Sequence, residues 1–138
     1  LPLAALIVQG RSPHFSPGQH GSTFGGNPVA AAAANQVIAT IESGKLMKRA
    51  IEMGALLRRE VETIPGVTAV RGRGLLLGIV LNDPIAKDVV AKLAENRVLA
   101  NAPTDYVIRI APPLIIGKRE VGLFAKTFEA VLQDLAKK

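Results

Sequence analysis

The sequence predicts an α/β fold, in which short strands are interleaved with amphipathic helices. Apolar runs of strand length alternate with longer segments of helical periodicity, and proline or glycine signals separate them. The 138 residues, 49% of them hydrophobic, are enough to bury a single core. No apolar run reaches the roughly 20 residues of a membrane-spanning helix. The absence of cysteine excludes a disulfide framework, a thiolate metal site and a cysteine nucleophile.

The N-terminal part is predicted to contain a strand, a loop and a helix. The apolar run at residues 3–8 indicates a strand covered on both faces. Residues 9–28 are rich in glycine, serine and proline and lack periodicity, which indicates a functional loop or a disordered linker. Asn27 and Pro28 form an N-cap signal, so a helix is expected over residues 29–41. Its run of alanines leaves little polar face, and we expect it to be buried or to pack at an interface.

The remainder of the chain alternates helices and strands. A helix is predicted over residues 45–64, followed by strands over 67–70 and 75–81 that are separated by residues 71–74. A second helix is predicted to be capped by Asp83 and to end near residue 96. Strands over 98–100 and 107–111 around a Pro-Thr-Asp turn follow, and then a helix from Gly117 to about residue 136. We therefore expect a compact α/β layer domain from about residue 28 onward.

The most informative segment is the glycine-rich loop at residues 20–28, His-Gly-Ser-Thr-Phe-Gly-Gly-Asn-Pro. Its glycines let the backbone approach a ligand, and Ser22 and Thr23 can donate hydrogen bonds to anionic oxygens. The helix that follows would present unpaired N–H groups at its N-terminus. This pattern favours a phosphate or carboxylate ligand, and a loop whose glycines serve turns only is the alternative. The lysine of a P-loop and the G-x-S-x-G frame of a nucleophile elbow are both missing.

Arg109 is the charged residue of an apolar strand that ends just before two prolines. A guanidinium cannot be buried without a partner, and its planar fork matches a carboxylate. Arg109 is therefore predicted to bind an amino-acid or 2-oxoacid substrate, with a structural ion pair or an edge-strand charge as alternatives. His14 and His20 lack acidic or cysteine companions at ligand spacing, so no metal site is predicted.

Three segments together resemble the class III, pyridoxal-phosphate-dependent aminotransferases. They are the loop at residues 20–28, the run Arg-Gly-Arg-Gly-Leu-Leu-Leu-Gly at 71–78 and the run Ile-Arg-Ile-Ala-Pro-Pro-Leu at 108–114. Leu1 and Pro2 also resemble the end of the family's lysine motif, K-x-L-G-G-G-L-P, although Ala4 stands where the family usually has glycine. The resemblance covers the whole chain and implies a C-terminal fragment of such an enzyme.

The resemblance implies a division of the chain into two parts. Residues 1–27 would be a remnant of the large cofactor-binding domain, formed by a strand and the phosphate-binding loop. Residues 28–138 would be the interdomain helix and the C-terminal small domain of the aspartate-aminotransferase-like fold, which has a short mixed or antiparallel sheet with helices. The whole enzyme would be a cytoplasmic homodimer that binds neither nucleic acid nor membranes.

Site roles follow from the same resemblance. Thr23 would hydrogen-bond the phosphate of pyridoxal 5'-phosphate across the subunit interface, Ser22 would contact the substrate, and Arg109 would bind a substrate carboxylate. The lysine that forms the Schiff base with the cofactor would lie upstream of Leu1. The chain would then hold no catalytic residue, and we expect it to be inert alone.

The implied reaction transfers an amino group from N-acetylornithine to 2-oxoglutarate, in arginine biosynthesis. Enzymes that act on ornithine, succinylornithine or 4-aminobutyrate share these motifs, so the amino donor stays open. Arg71 and Arg73 flank the glycines of a hairpin in the family, and a structural role is expected for them first.

A basic binding module is the alternative from another class of protein. The chain has 17 basic and 11 acidic residues, a net charge of +6, and five basic residues cluster on the second helix: Lys45, Lys48, Arg49, Arg58 and Arg59. Glutamates interrupt the cluster, aromatic residues are scarce, and no nucleic-acid-binding motif is present. A solvated helix face is the preferred interpretation. A further possibility is self-association through the alanine-rich helix, which an isolated fragment would expose.

Overall fold

The computed structural model describes residues 3–137. Leu1 and Pro2, which resemble the end of the lysine motif, lie outside the described residues. The elements in chain order are α1 (Pro28–Ser43), α2 (Leu46–Glu62), β1 (Val67–Arg73), β2 (Leu76–Leu81), α3 (Ala86–Glu95), β3 (Asn101–Thr104), β4 (Val107–Ile110) and α4 (Lys118–Leu135). They divide into two units, Leu1–Gly44 and Lys45–Lys138. The domain boundary predicted after residue 27 stays a prediction.

The first unit consists of an irregular segment followed by α1. The strand predicted over residues 3–8 is wrong, because a strand needs a neighbour for its backbone hydrogen bonds and no described residue pairs with this run. Leu6 and Ile7 are instead 75% and 93% exposed. Helix α1 is confirmed. Val37 and Ile38 on it are exposed, so burial of α1 within the chain is wrong and its interface role stays a prediction.

The second unit is a four-stranded antiparallel sheet in the order β1-β2-β4-β3. The inward side chains of its central strands, such as Ile79 and Ile108, are fully buried. Helices α2, α3 and α4 contribute their apolar stripes to the same core, in which Phe128 is fully buried as well. Burial of one such side chain stabilises the fold by about 1.5–3 kcal/mol. The helices thus cover one face of the sheet.

The backbone of helix α2 lies in close contact with the backbone of the β1–β2 hairpin. A Cβ atom at Gly54 would lie 2.0 Å from the carbonyl oxygen of Gly74, so only glycine fits there. Arg58 donates hydrogen bonds to the carbonyl oxygens of Val70 and, at 3.0 Å, of Gly72. Because β1 is an edge strand, these bonds satisfy carbonyl groups that no neighbouring strand pairs.

Two predicted boundaries near α3 and β1 are wrong. Strand pairing in the first hairpin extends to Arg73, opposite Leu76, so its turn is shorter than residues 71–74. Helix α3 begins at Ala86 without a side-chain cap from Asp83, because the Ala86 N–H donates to the Asp105 carbonyl oxygen at 2.9 Å. The β3–β4 turn thereby replaces the predicted cap.

The strand predicted over residues 98–100 is also displaced. Strand β3 begins at Asn101, because its partner β4 ends at Ile110 and register pairs Asn101 with Arg109. Two residues of the predicted Pro-Thr-Asp turn, Pro103 and Thr104, therefore lie in β3. Proline is tolerated there because β3 is the other edge strand. Within residues 3–137, no helix combines the length and apolarity needed to cross a membrane.

Candidate functional site

The glycine-rich loop presents two exposed hydroxyl groups. Ser22 and Thr23 make no side-chain hydrogen bond with any residue that the structure describes, and both are exposed. The loop turns closely on itself, since a Cβ atom at Gly25 would lie 3.0 Å from the Cβ atom of Ser22. Gly26 follows with a φ of +72°, a conformation that favours glycine. Both hydroxyls are therefore available to a ligand.

The N-terminus of α1 differs from the sequence prediction. Asn27 Oδ1 accepts hydrogen bonds from the N–H groups of Val29 at 3.0 Å and Ala30 at 3.2 Å. The N–H of Ala31 donates to the carbonyl oxygen of Asn27 at 2.9 Å, and Pro28 has no N–H. The prediction of unpaired N–H groups for an anion is wrong at this helix, because its own N-cap residue accepts from them. The groups that this loop can still offer to an anion are the hydroxyls of Ser22 and Thr23 and the loop backbone before Asn27.

The two histidines lie in the same irregular segment. His20 stacks on Phe15, with the ring centroids 5.6 Å apart. Among residues 3–137, no group of three histidine, cysteine, aspartate or glutamate side chains is arranged to hold a metal ion.

Arg109 lies in β4, a central strand of the second unit, between Gly78 of β2 and Asn101 of β3. Its neighbours Ile108 and Ile110 point into the core, and Arg109 is exposed on the opposite face. The edge-strand alternative is therefore wrong. Within residues 3–137, Arg109 forms neither a hydrogen bond through its side chain nor an ion pair. A solvent-facing guanidinium in this state can bind a carboxylate.

The loop after β4 is held by Arg49, for which the sequence predicts a place on a solvated helix face. Arg49 on α2 donates from Nε to the Ile116 carbonyl oxygen at 2.9 Å and from Nη2 to that of Ile115 at 3.2 Å. Glu120 Oε2 accepts from the Gly117 N–H at 3.1 Å, which fixes the entry to α4. No sequence signal indicates this role, because the partners lie 66 and 67 residues away.

The structure places the predicted site residues in different units. Ser22 and Thr23 belong to the first unit and Arg109 to the second. The first offers hydroxyl donors to an anion and the second offers a guanidinium to a carboxylate.

Comparison with known proteins identifies the family to which the chain belongs. A family model described as aminotransferase class-III matches residues 1–132. The chain therefore belongs to the class III aminotransferases, enzymes that depend on pyridoxal 5'-phosphate.

Particular relatives carry more specific names. The chain is 40% identical, over 98% of its length, to the acetylornithine aminotransferase of Corynebacterium efficiens, and covers 34% of that protein. It is 46% identical to ornithine aminotransferase 2 of Staphylococcus saprophyticus, with 86% of the chain and 30% of that protein covered. The crystal structure of acetylornithine aminotransferase from Elizabethkingia anophelis matches with a TM-score of 0.79 and 39% identity, over 87% of this chain and 33% of that one. The chain thus spans about a third of the length of these relatives.

Proposed function

We propose that the chain is the C-terminal part of an acetylornithine aminotransferase, which transfers an amino group from N-acetylornithine to 2-oxoglutarate in arginine biosynthesis. Similarity to relatives of that name over nearly the whole chain supports the proposal. The single observation on which the proposed chemistry rests is that Arg109 is exposed on a central strand and has no counter-ion among residues 3–137. Its guanidinium suits the carboxylate that donor and acceptor share.

Three other amino donors are alternatives within the same reaction class. They are ornithine, succinylornithine and 4-aminobutyrate, and the Staphylococcus saprophyticus relative is named for the first. We further propose that the whole enzyme is a cytoplasmic homodimer.

Thr23 is proposed to donate a hydrogen bond to the cofactor phosphate across the subunit interface, and Ser22 to contact the substrate. The loop fits these roles because both hydroxyls are exposed and unbonded within the described residues. A Cβ atom at Gly21 or Gly26 would meet no heavy atom within 4 Å, so no side chain crowds the loop there. When bound, pyridoxal 5'-phosphate supplies the electron sink of transamination.

The 138 residues alone are proposed to be inert. Transamination needs a protein amine that holds the cofactor aldehyde and transfers a proton. The lysines of the chain, of which Lys45 is the first, lie outside the family's lysine motif. The proposed role of Ser22, Thr23 and Arg109 is therefore binding and orientation.

The proposed function is tested with the full-length protein that contains this chain. Purified with its cofactor, it is assayed for glutamate formation from 2-oxoglutarate with each of the four donors in parallel. We expect kcat/KM to be highest for N-acetylornithine by about tenfold or more, since a pocket shaped for one side chain discriminates on that scale. A higher value for another donor would replace the substrate assignment, and no glutamate from any donor would contradict the proposed function.

A further inference from the structure

The β4–α4 connection, residues 111–117, has little buried surface. None of its residues is buried, and Ala111, Pro113 and Ile115 are exposed. Ile116 packs against the core but remains partly exposed. Its N–H donates to the Pro113 carbonyl oxygen at 3.0 Å, which closes a turn inside the connection. A segment with so few buried contacts depends on hydrogen bonds for a fixed position.

Arg49 of α2 provides such hydrogen bonds from a distant part of the chain. Its Nε and Nη2 atoms donate to the carbonyl oxygens of Ile116 and Ile115, at 2.9 and 3.2 Å. Within residues 3–137, Arg49 is the residue outside β4 and α4 that hydrogen-bonds the β4–α4 connection. Because a guanidinium is planar, two of its donors fix both the distance and the direction of the contact.

The stability of α2 alone does not explain an arginine at this position. Arg49 lies near the N-terminus of α2, whose first residue is Leu46. A cation there is unfavourable, because it opposes the helix dipole. Further along, α2 is tied to the first hairpin by Arg58 and by the close approach at Gly54. Helix α2 therefore bridges the first hairpin and the β4–α4 connection, and Arg49 forms the second of these contacts.

The β4–α4 connection begins next to Arg109. Strand β4 ends at Ile110, and Pro112 and Pro113 follow shortly after it. Proline restricts its own φ to about −65°, so two successive prolines make this link stiff. Arg109 is also the last residue of β4 that pairs with β3. A displacement of the turn that Arg49 holds is therefore transmitted to the backbone of Arg109.

We propose that Arg49 is a positioning residue, which acts through Arg109 by fixing the β4–α4 connection. The proposal rests on the proposed function for the carboxylate-binding role of Arg109. The guanidinium of Arg49 is already engaged by two carbonyl groups, so it acts without contacting the substrate. The same role is not assigned to Arg58, whose guanidinium binds carbonyl groups of β1 instead.

A double-mutant cycle in the full-length enzyme tests whether Arg49 acts through Arg109. We expect Arg49→Ala to lower kcat/KM for 2-oxoglutarate by about tenfold, mainly through KM, because a displaced binding group loses contact with its ligand. In an Arg109→Ala background, Arg49→Ala should change kcat/KM by less than about twofold, because the group that it positions is gone. Arg49→Lys should recover only part of the loss, because an ammonium group lacks the planar fork.

Arg58→Ala is the matched control, since Arg58 lies on the same helix and also donates to two backbone carbonyl groups. We expect it to lower the urea midpoint of unfolding as Arg49→Ala does, but to leave KM within about twofold of wild type. An equal rise in KM in the two variants would overturn the proposal. Equal losses from Arg49→Ala with and without the Arg109 side chain would also overturn it.

Hydrogen exchange of the full-length protein provides a readout that does not depend on turnover. Mass spectrometry follows the amides of residues 107–117 and 67–74 in wild type and in both variants. We expect Arg49→Ala to accelerate exchange in residues 107–117 and Arg58→Ala to accelerate it in residues 67–74, because each substitution releases its own contact. Unchanged exchange of residues 107–117 in Arg49→Ala would overturn the proposal.

The positioning role and the proposed function fail in different ways. A wild-type protein that forms no glutamate would reject the proposed function, and the positioning role with it. Glutamate formation by wild type, together with an unchanged KM in Arg49→Ala, would reject the positioning role alone.

Discussion

The guanidinium of Arg109 is available to a ligand because the side chains of β4 alternate between the two faces of the sheet. Its neighbours on either side point into the core and hold β4 in place, so the guanidinium must point away from it. Side-chain entropy is lost on binding, but the backbone that carries the group is already fixed by two neighbouring strands. This rigidity favours a specific carboxylate contact.

Replacement of Arg109 tests this assignment in the full-length enzyme. We expect Arg109→Ala to lower kcat/KM for donor and acceptor alike by about a hundredfold, because a bidentate charged contact is removed. Arg109→Lys should recover only part of it. Arg119→Ala, an exposed arginine on α4, serves as the control and should leave kcat/KM unchanged. Loss of less than about twofold in Arg109→Ala would contradict the assignment.

The sequence makes Arg109 a candidate for carboxylate binding, but the exposure of its side chain does not follow from the sequence. Period-two alternation shows that Ile108 and Ile110 share a face, but which strands flank β4 depends on pairings far apart in the chain. The same limit applies to Arg49 and Arg58, whose acceptors are backbone carbonyls that no local pattern specifies.

Among the elements, three helices are predicted best. The limits of α1, α2 and α4 lie within two residues of the expected ones, because cap, proline and glycine signals mark helix ends and apolar stripes specify the period of α2 and α4. The predicted strand over residues 3–8 does not form, because apolar composition does not provide a pairing partner. The predicted Asp83 cap does not form either, because the backbone carbonyl group of Asp105, in the β3–β4 turn, accepts a hydrogen bond at the start of α3.

The contact between α2 and the first hairpin provides an element-scale prediction. Gly54→Ala should destabilise the second unit by about 1–3 kcal/mol, because the new methyl group would overlap the carbonyl oxygen of Gly74 and force the elements apart. Urea unfolding followed by circular dichroism measures the change.

Gly122→Ala on α4 is the matched control, since a Cβ atom there meets nothing within 4 Å. It should stabilise the chain by about 0.5–1 kcal/mol through helix propensity. Equal effects of the two substitutions would show that the close approach at Gly54 does not limit packing.

At the scale of the whole molecule, exposed apolar side chains are present in both units. Val37 and Ile38 on α1 are 57% and 55% exposed, and Leu99, Ile115 and Leu123 are exposed in the second unit. Apolar surface of this kind favours association. We expect the isolated chain to form oligomers at micromolar concentration, measured by light scattering. Ile38→Lys should reduce association more than Asn35→Lys on the same helix, and a monodisperse wild-type monomer would contradict the expectation.

We propose that the chain supplies binding groups of an aminotransferase without the amine that carries the chemistry. This claim is tested by incubating the 138-residue chain with pyridoxal 5'-phosphate, reducing with borohydride and mapping pyridoxyl-lysine by mass spectrometry. The full-length enzyme serves as the positive control. We predict substoichiometric labelling spread over several lysines of the chain, and no turnover. A single stoichiometric site accompanied by transaminase turnover would contradict the claim.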